Sequence, residues 1–160
     1  MKNLWSAMLI VMVASLAPAR PVRAAEDDAK GVAHAAAQFY SALNAMFKGE
    51  LAPMTDVWSH ADDVTYMGPG GGFQVGWSQV LAEWQKQAAM KLGGTVKPES
   101  MRITVGSELA VTSNVEEGEN TNARGKAQKL SIRATNVFRK ENGTWKMIGH
   151  HTDLLPFMKK

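Results

Sequence analysis

A change of periodicity at Thr95 restricts the fold of this 160-residue chain more than any other feature. Before it, apolar residues recur at steps of three and four. Val32, Ala36, Phe39, Leu43 and Met46, with Tyr40 and Phe47 widening the stripe, predict an amphipathic helix over 26–49 that is ended by Gly49. Glu26, Asp27 and Asp28 suit its N-terminus. A shorter helix entered through Pro53 covers 54–59, with Trp58 on its apolar side. A strand over 63–67 stops at Gly68-Pro69, and Trp77, Val80, Leu81, Trp84 and Ala88 predict a helix over 77–92 closed by Gly93-Gly94. After Thr95 the pattern alternates. Residues 101–105, 108–115, 129–140 and 144–154 read as strands, and Asn142-Gly143 marks a tight hairpin between the last two. Helices first and consecutive strands afterwards is the α+β arrangement, with about three helices packed on one face of an antiparallel sheet.

The first 24 residues are expected to lie outside this domain. Lys2 and an apolar run to Ala17, followed by Val22-Arg23-Ala24 at the cleavage position, predict a signal peptide and a periplasmic or secreted domain over 25–160. The competing reading, a membrane anchor, needs about 20 apolar residues, and this run breaks earlier at Pro18. Removing Lys2, Arg20 and Arg23 takes the 18 basic and 15 acidic residues to 15 of each, so the mature chain has no concentrated basic charge for nucleic acid or an anionic membrane. The absence of Cys rules out disulfides and thiol nucleophiles. The stretch GPGGGFQVGWS, 68–78, comes close to a phosphate-binding loop, but Trp77 stands where that loop requires Lys, and a flexible turn at a pocket rim explains it better.

FYSALNA in the first helix, SHADDVTYMGP around the first strand, VGWSQVLAEW in the third helix and RATNVFRKENGTWKMIGHH in the last hairpin occur in an order and spacing that resemble the nuclear transport factor two-like superfamily. The likeness is to its SnoaL-like and ketosteroid-isomerase-like branches. It implies a cone-shaped fold, a bent sheet wrapping a pocket beneath the helices, and often a homodimer formed on the outer face of the sheet. The isomerase branch uses a helix-one Tyr and a protonated strand Asp as oxyanion donors, and a first-strand Asp as base. Matching the segments puts Phe39, Asn136 and Gly68 at those positions. Phe39 has no donor and Gly68 no side chain, so the isomerase mechanism is not expected to operate in that form.

If Gly68 and Asn136 face the pocket, strand alternation adds Tyr66, Val64, Ala134 and Phe138 to the same face. Tyr66 and Asn136 are then candidate catalytic and binding groups, although an amide satisfying a buried neighbour explains Asn136 equally well. With a two-residue turn the inward set of the last strand is Trp145, Met147, Gly149 and His151, which favours His151 as the acid–base group; a three-residue loop would turn His150 inward instead. Phe39, Trp58, Trp77, Met147, His150 and His151 complete the expected pocket, with Trp84 assigned to core packing. Arg133 is expected on the outer face, in an ion pair or an interface. Because neighbouring strand residues diverge, His150, His151 and Asp153 are not expected to converge on a metal, and no cofactor is expected. Two functions remain open: a domain enclosing a small, mostly apolar or aromatic molecule, with acid–base activity, and a non-catalytic binding or dimeric interaction module.

Overall fold

The computed structural model describes residues 22–121 and 125–153. Most of the expected signal peptide, residues 1–21, therefore lies outside the described residues. The elements run α1 (Val22–Met46), α2 (Ala52–Val57), β1 (Thr65–Met67), β2 (Gln74–Val75), α3 (Trp77–Met90), β3 (Thr95–Val105), β4 (Leu109–Thr121), β5 (Ala127–Glu141) and β6 (Thr144–Asp153). The α+β reading holds, with one strand more on the N-terminal side than expected. Gln74 and Val75, inside the glycine-rich stretch, pair with Tyr66 and Thr65.

The six strands form a single curved, unclosed sheet in the order β2-β1-β6-β5-β4-β3. The β3–β6 meander is antiparallel, whereas β1 runs parallel to β6, a pairing that the expectation of a purely antiparallel sheet missed. The stripe of α1 is buried as the period predicts: Val32, Ala36, Phe39, Leu43 and Met46 sink into the core with Val80 and Trp84 of α3. Two side chains fasten α1 to the sheet. Asn44 donates from Nδ2 to the Val96 carbonyl at 2.9 Å and accepts the Val96 N–H at 2.8 Å, acting as a neighbouring strand along part of the β3 edge. Asp28, largely buried, pairs with Lys140 at 2.5 Å. Among the described residues no helix is long and apolar enough to cross a membrane.

The β5–β6 hairpin sets the inner face, and here the sequence reading needs correction. The turn is the two-residue Asn142-Gly143 expected, with φ of 50° and 82° at the two positions, which suits the Asn-Gly pair. Phe138 then pairs with Met147, as a plain hairpin requires, but Val137 pairs with Gly149. Ile148 is an extra residue in β6, a bulge that moves the rest of the strand by one place and exchanges its faces. Asn136 consequently faces His150, not Gly149. His150 is buried, and His151 is exposed on the outer face.

Candidate active site

The inner face of the sheet is polar at its centre. Alternation along β4 points Ala110, Thr112, Asn114 and Glu116 inward, and alternation along β5 does the same for Ile132, Ala134, Asn136 and Phe138. His150 and Thr152 join them from β6, with Tyr40 from α1 and Tyr66 from β1. Burying this many polar groups is tolerable only if they pair with one another, and most do.

Asn136 is fully buried and connects two of its neighbours. Its Oδ1 accepts from His150 Nδ1 at 2.6 Å, and its Nδ2 donates to Thr112 Oγ1 at 3.0 Å. In this orientation the His150 proton sits on Nδ1, leaving Nε2 with a free lone pair. Tyr40 receives a hydrogen bond from Asn114 Nδ2 at 2.9 Å and directs its hydroxyl to Glu116 Oε1 at 3.1 Å. Glu116 Oε1 lies 3.9 Å from His150 Nε2, too long for a direct hydrogen bond.

Burial shapes the titration of every member. It pushes the Glu116 carboxyl up to about 7, against the lowering effect of the Tyr40 hydroxyl. It holds His150 neutral, down to about 3, with the neighbouring His151 charge adding to the effect. Both tyrosines are raised above their ordinary value, Tyr40 by burial and the Glu116 charge, Tyr66 by burial in opposition to the hydrogen bond from Gln87. At neutral pH the cluster thus holds a neutral imidazole beside a carboxyl that burial has raised towards neutrality.

These groups open onto a cavity of about 90 Å³ between α1, α3 and the sheet. Tyr66, Glu116, His150 and Thr152 form its polar wall, and Leu43, Phe47, Leu92, Val96 and Ile132 much of its apolar one. Tyr66 is braced by Gln87, whose Nε2 donates to its hydroxyl at 2.8 Å, and its ring stacks on His150 with centroids 5.7 Å apart.

Several expected site residues lie elsewhere. His151 sits in an open groove on the outer face with Arg133 and Asp153, which pair with each other, and the inward position expected of it is taken by His150. The bulge at Ile148 is the reason. Asn136 stands behind the cavity wall with its amide taken by protein partners, and Phe39 packs against the His150 ring at 4.9 Å. Trp58 and Met147 are fully buried core residues, and Trp77 stacks on His60 at 4.3 Å, away from the cavity. Trp84 is core packing as expected and also lines the cavity, whereas Trp58 does not line it. The expected strand over 108–115 stops one residue short of Glu116, although counting alternate residues inward from Ala110 reaches it. Among the described residues no group of three or more His, Asp or Glu is placed to hold a metal.

Gly68 has a specific reason to be glycine. A Cβ there would overlap the Tyr66 hydroxyl and approach its Cζ at 2.6 Å. The tyrosine thus occupies the space into which a side chain at position 68 would extend.

A family model for the SnoaL-like domain matches residues 32–155. A search of curated proteins found no similar sequence. Among solved structures, the chain is similar to a candidate dehydratase of the NTF2-like family from Streptomyces avermitilis, at 22% identity and a TM-score of 0.72 over 82% of this chain and 98% of that one. It is similar also to an NTF2-like protein from Pseudomonas putida, at 14% identity and a TM-score of 0.68 over 84% and 93% of the two chains. A third, a candidate ketosteroid isomerase from Shewanella frigidimarina, gives 18% identity and a TM-score of 0.62 over 76% and 94%. At these identities the structural likeness carries the fold.

Proposed function

The chain belongs to the SnoaL-like family, and on that premise we propose that it is a small-molecule-binding domain whose cavity transfers protons, with Glu116 giving and taking the proton. The supporting observation is Glu116 itself, a carboxyl on the wall of a largely apolar cavity, raised by burial to about 7, where it can serve as acid or base at neutral pH. His150 is its neutral partner: Asn136 fixes the ring, and the Nε2 lone pair faces the same carboxyl at 3.9 Å. The isomerase route stays closed on geometric grounds, since Phe39 is core and Tyr66 fills the space above Gly68. A cavity of about 90 Å³ is far below the roughly 300–1,000 Å³ of sites for drug-sized ligands, so the occupant is a molecule of few heavy atoms or one end of a larger one.

The test is hydrogen exchange next to a carbonyl. Small ketones incubated with the protein in heavy water should lose their α-protons faster as the pH rises through 7, and Glu116→Gln should slow this roughly hundredfold or more, the usual worth of a positioned base. Equal rates for the two proteins would overturn the catalytic role. The second reading, binding without turnover, is favoured by the filled space at Gly68, and a ketone that binds without accelerated exchange would support it.

The proposal extends to location and assembly. The basic start, apolar run and Ala24 support a mature chain that begins at Ala25 and works in the periplasm or outside the cell. A homodimer through the outer face of the sheet is supported by the exposed Leu109 and Val111, and light scattering on the mature chain tests it.

A further inference from the structure

Two acceptors on the cavity wall have lone pairs that the protein leaves unused. Asn136 Oδ1 holds the proton of His150 on Nδ1, so Nε2 can only accept. Glu116 accepts one hydrogen bond, from Tyr40, whereas a carboxylate offers about four lone-pair sites. Among the described residues no donor reaches His150 Nε2 or Glu116 Oε2. Both side chains line the cavity, and each keeps 3% of its surface open. The buried atoms that lack a partner and are closed to water are, among the described residues, Trp58 Nε1, Gln74 Oε1, Trp84 Nε1 and Thr152 Oγ1. His150 Nε2 and Glu116 Oε2 are not of that kind, so a molecule in the cavity can reach them.

The spacing of the two acceptors suits a single ligand atom. His150 Nε2 lies 3.9 Å from Glu116 Oε1. A nitrogen about 2.9 Å from each would see them about 85° apart, close enough to the angle between two N–H bonds of an ammonium group for both hydrogen bonds to form. Charge then selects the ligand. The lining contains no Lys or Arg and His150 is neutral, so an ionised Glu116 faces the cavity with no counter-charge. A buried carboxylate is costly unless a cation and hydrogen bonds replace its water. A second anion would be repelled, a hydrocarbon would leave both acceptors bare, and an alcohol has one proton for the two. A protonated amine has the charge and three donors.

We propose that Glu116 and His150 bind the ammonium group of a small alkylamine, the carboxylate pairing with its charge and His150 Nε2 accepting one of its N–H bonds. Leu43, Phe47, Leu92, Val96 and Ile132 form the apolar wall that takes the alkyl group. This assignment rests on the small-molecule reading above and adds to it a class of ligand, but it does not need the proton transfer. An amine held in this way occupies the carboxylate, so it competes with any molecule whose proton Glu116 would take.

Three probes of nearly equal size test it: isobutylamine, isobutanol, its neutral counterpart, and isobutyrate, which carries the opposite charge. They are titrated calorimetrically into the whole chain at pH 8, where the Glu116 carboxyl is mostly ionised and an alkylamine is a cation. Isobutylamine is expected to bind roughly tenfold or more tightly than isobutanol, the worth of a charge-assisted hydrogen bond over a neutral one, and isobutyrate most weakly. Glu116→Gln should weaken isobutylamine roughly tenfold or more and isobutanol far less. Nitrogen NMR of the wild type gives a readout that needs no variant. With isobutylamine bound, the Nε2 resonance of His150 should move upfield as its lone pair accepts a hydrogen bond. Isobutanol or isobutyrate binding as tightly as the amine, equal amine affinity in Glu116→Gln, or an unmoved His150 Nε2 would overturn the ammonium site and leave the small-molecule reading standing. If none of the three probes binds, the small-molecule reading itself fails and the ammonium site falls with it.

Discussion

Replacing Glu116 by Gln should make the protein more stable at alkaline pH and leave it unchanged in acid. A carboxyl with an ordinary value of 4.5 is raised to about 7 in the fold, so between those values the folded chain holds a proton that the unfolded chain has released. The stability associated with that proton is complete below pH 4.5 and is lost as the pH rises through 7. Each unit of displacement is worth about 1.36 kcal/mol, so the full loss is about 3 kcal/mol, which Gln, having no proton to lose, does not incur. Gln can also keep the neighbour: its carbonyl accepts from the Tyr40 hydroxyl as the carboxyl does. His150 works with the opposite sign. Its value is lowered from 6.5 to about 3, so it weakens the fold as the pH falls below 6.5, but it is present in both proteins and cancels in their difference. The assay is urea unfolding of both proteins from pH 4 to 9. The difference should be near zero at pH 4, grow by up to about 1.4 kcal/mol per pH unit above 4.5, and level off past 7. Parallel stability curves, or a wild type more stable than the variant at pH 9, would refute the claim that burial dominates this carboxyl. Tyr40→Phe supplies a second check. It removes the hydrogen bond that lowers Glu116, so the plateau should move to higher pH.

Other expectations follow from single contacts. Deleting Ile148 should remove the bulge and leave a plain hairpin in which Asn136 still pairs with His150, so His150 stays buried and His151 exposed; histidine titration by NMR reports which ring is buried, and a buried His151 would refute the assignment of Ile148 as the extra residue. Asn44→Ala removes two hydrogen bonds to Val96 and should cost about 2 kcal/mol, with faster amide exchange at Val96 than elsewhere in β3. Gly68→Ala should destabilise by roughly 1–3 kcal/mol through overlap with Tyr66, and most of that cost should vanish in a Tyr66→Leu background. Additive effects in that double-mutant cycle would show that the two side chains do not compete for the same space.

The architecture was legible because it depends on period. The α1 stripe from Val32 to Met46, the α3 stripe through Val80 and Trp84, and the Asn142-Gly143 turn all appear where spacing puts them. The inner faces of β1 and β5 were legible for the same reason, and Val64, Tyr66, Ala134, Asn136 and Phe138 are all buried. The face of the histidines was not. A bulge is one residue of disagreement between two strands, and nothing in KMIGHH distinguishes it from continuous pairing except Gly149, which is a weak mark. Glu116 was hidden in another way. Charged residues in a run read as solvated unless strand phase is carried into the run, and a partner 76 residues away decides whether this carboxyl can be buried at all. Tyr40, counted with the apolar stripe, is that partner.

The overlap between Gly68 and Tyr66 limits how this cavity can change. A carboxylate could be placed at position 68 only by first displacing the tyrosine, and Tyr66 carries the hydrogen bond from Gln87 and the stacking on His150. Each single step therefore leads through a less stable protein than either end, a valley that separates the present site from one with a base on its first strand. The position behaves as a ratchet. Designing an isomerase-like site on this scaffold means exchanging both residues together, whereas new chemistry reached one substitution at a time is confined to the β4 and β6 wall.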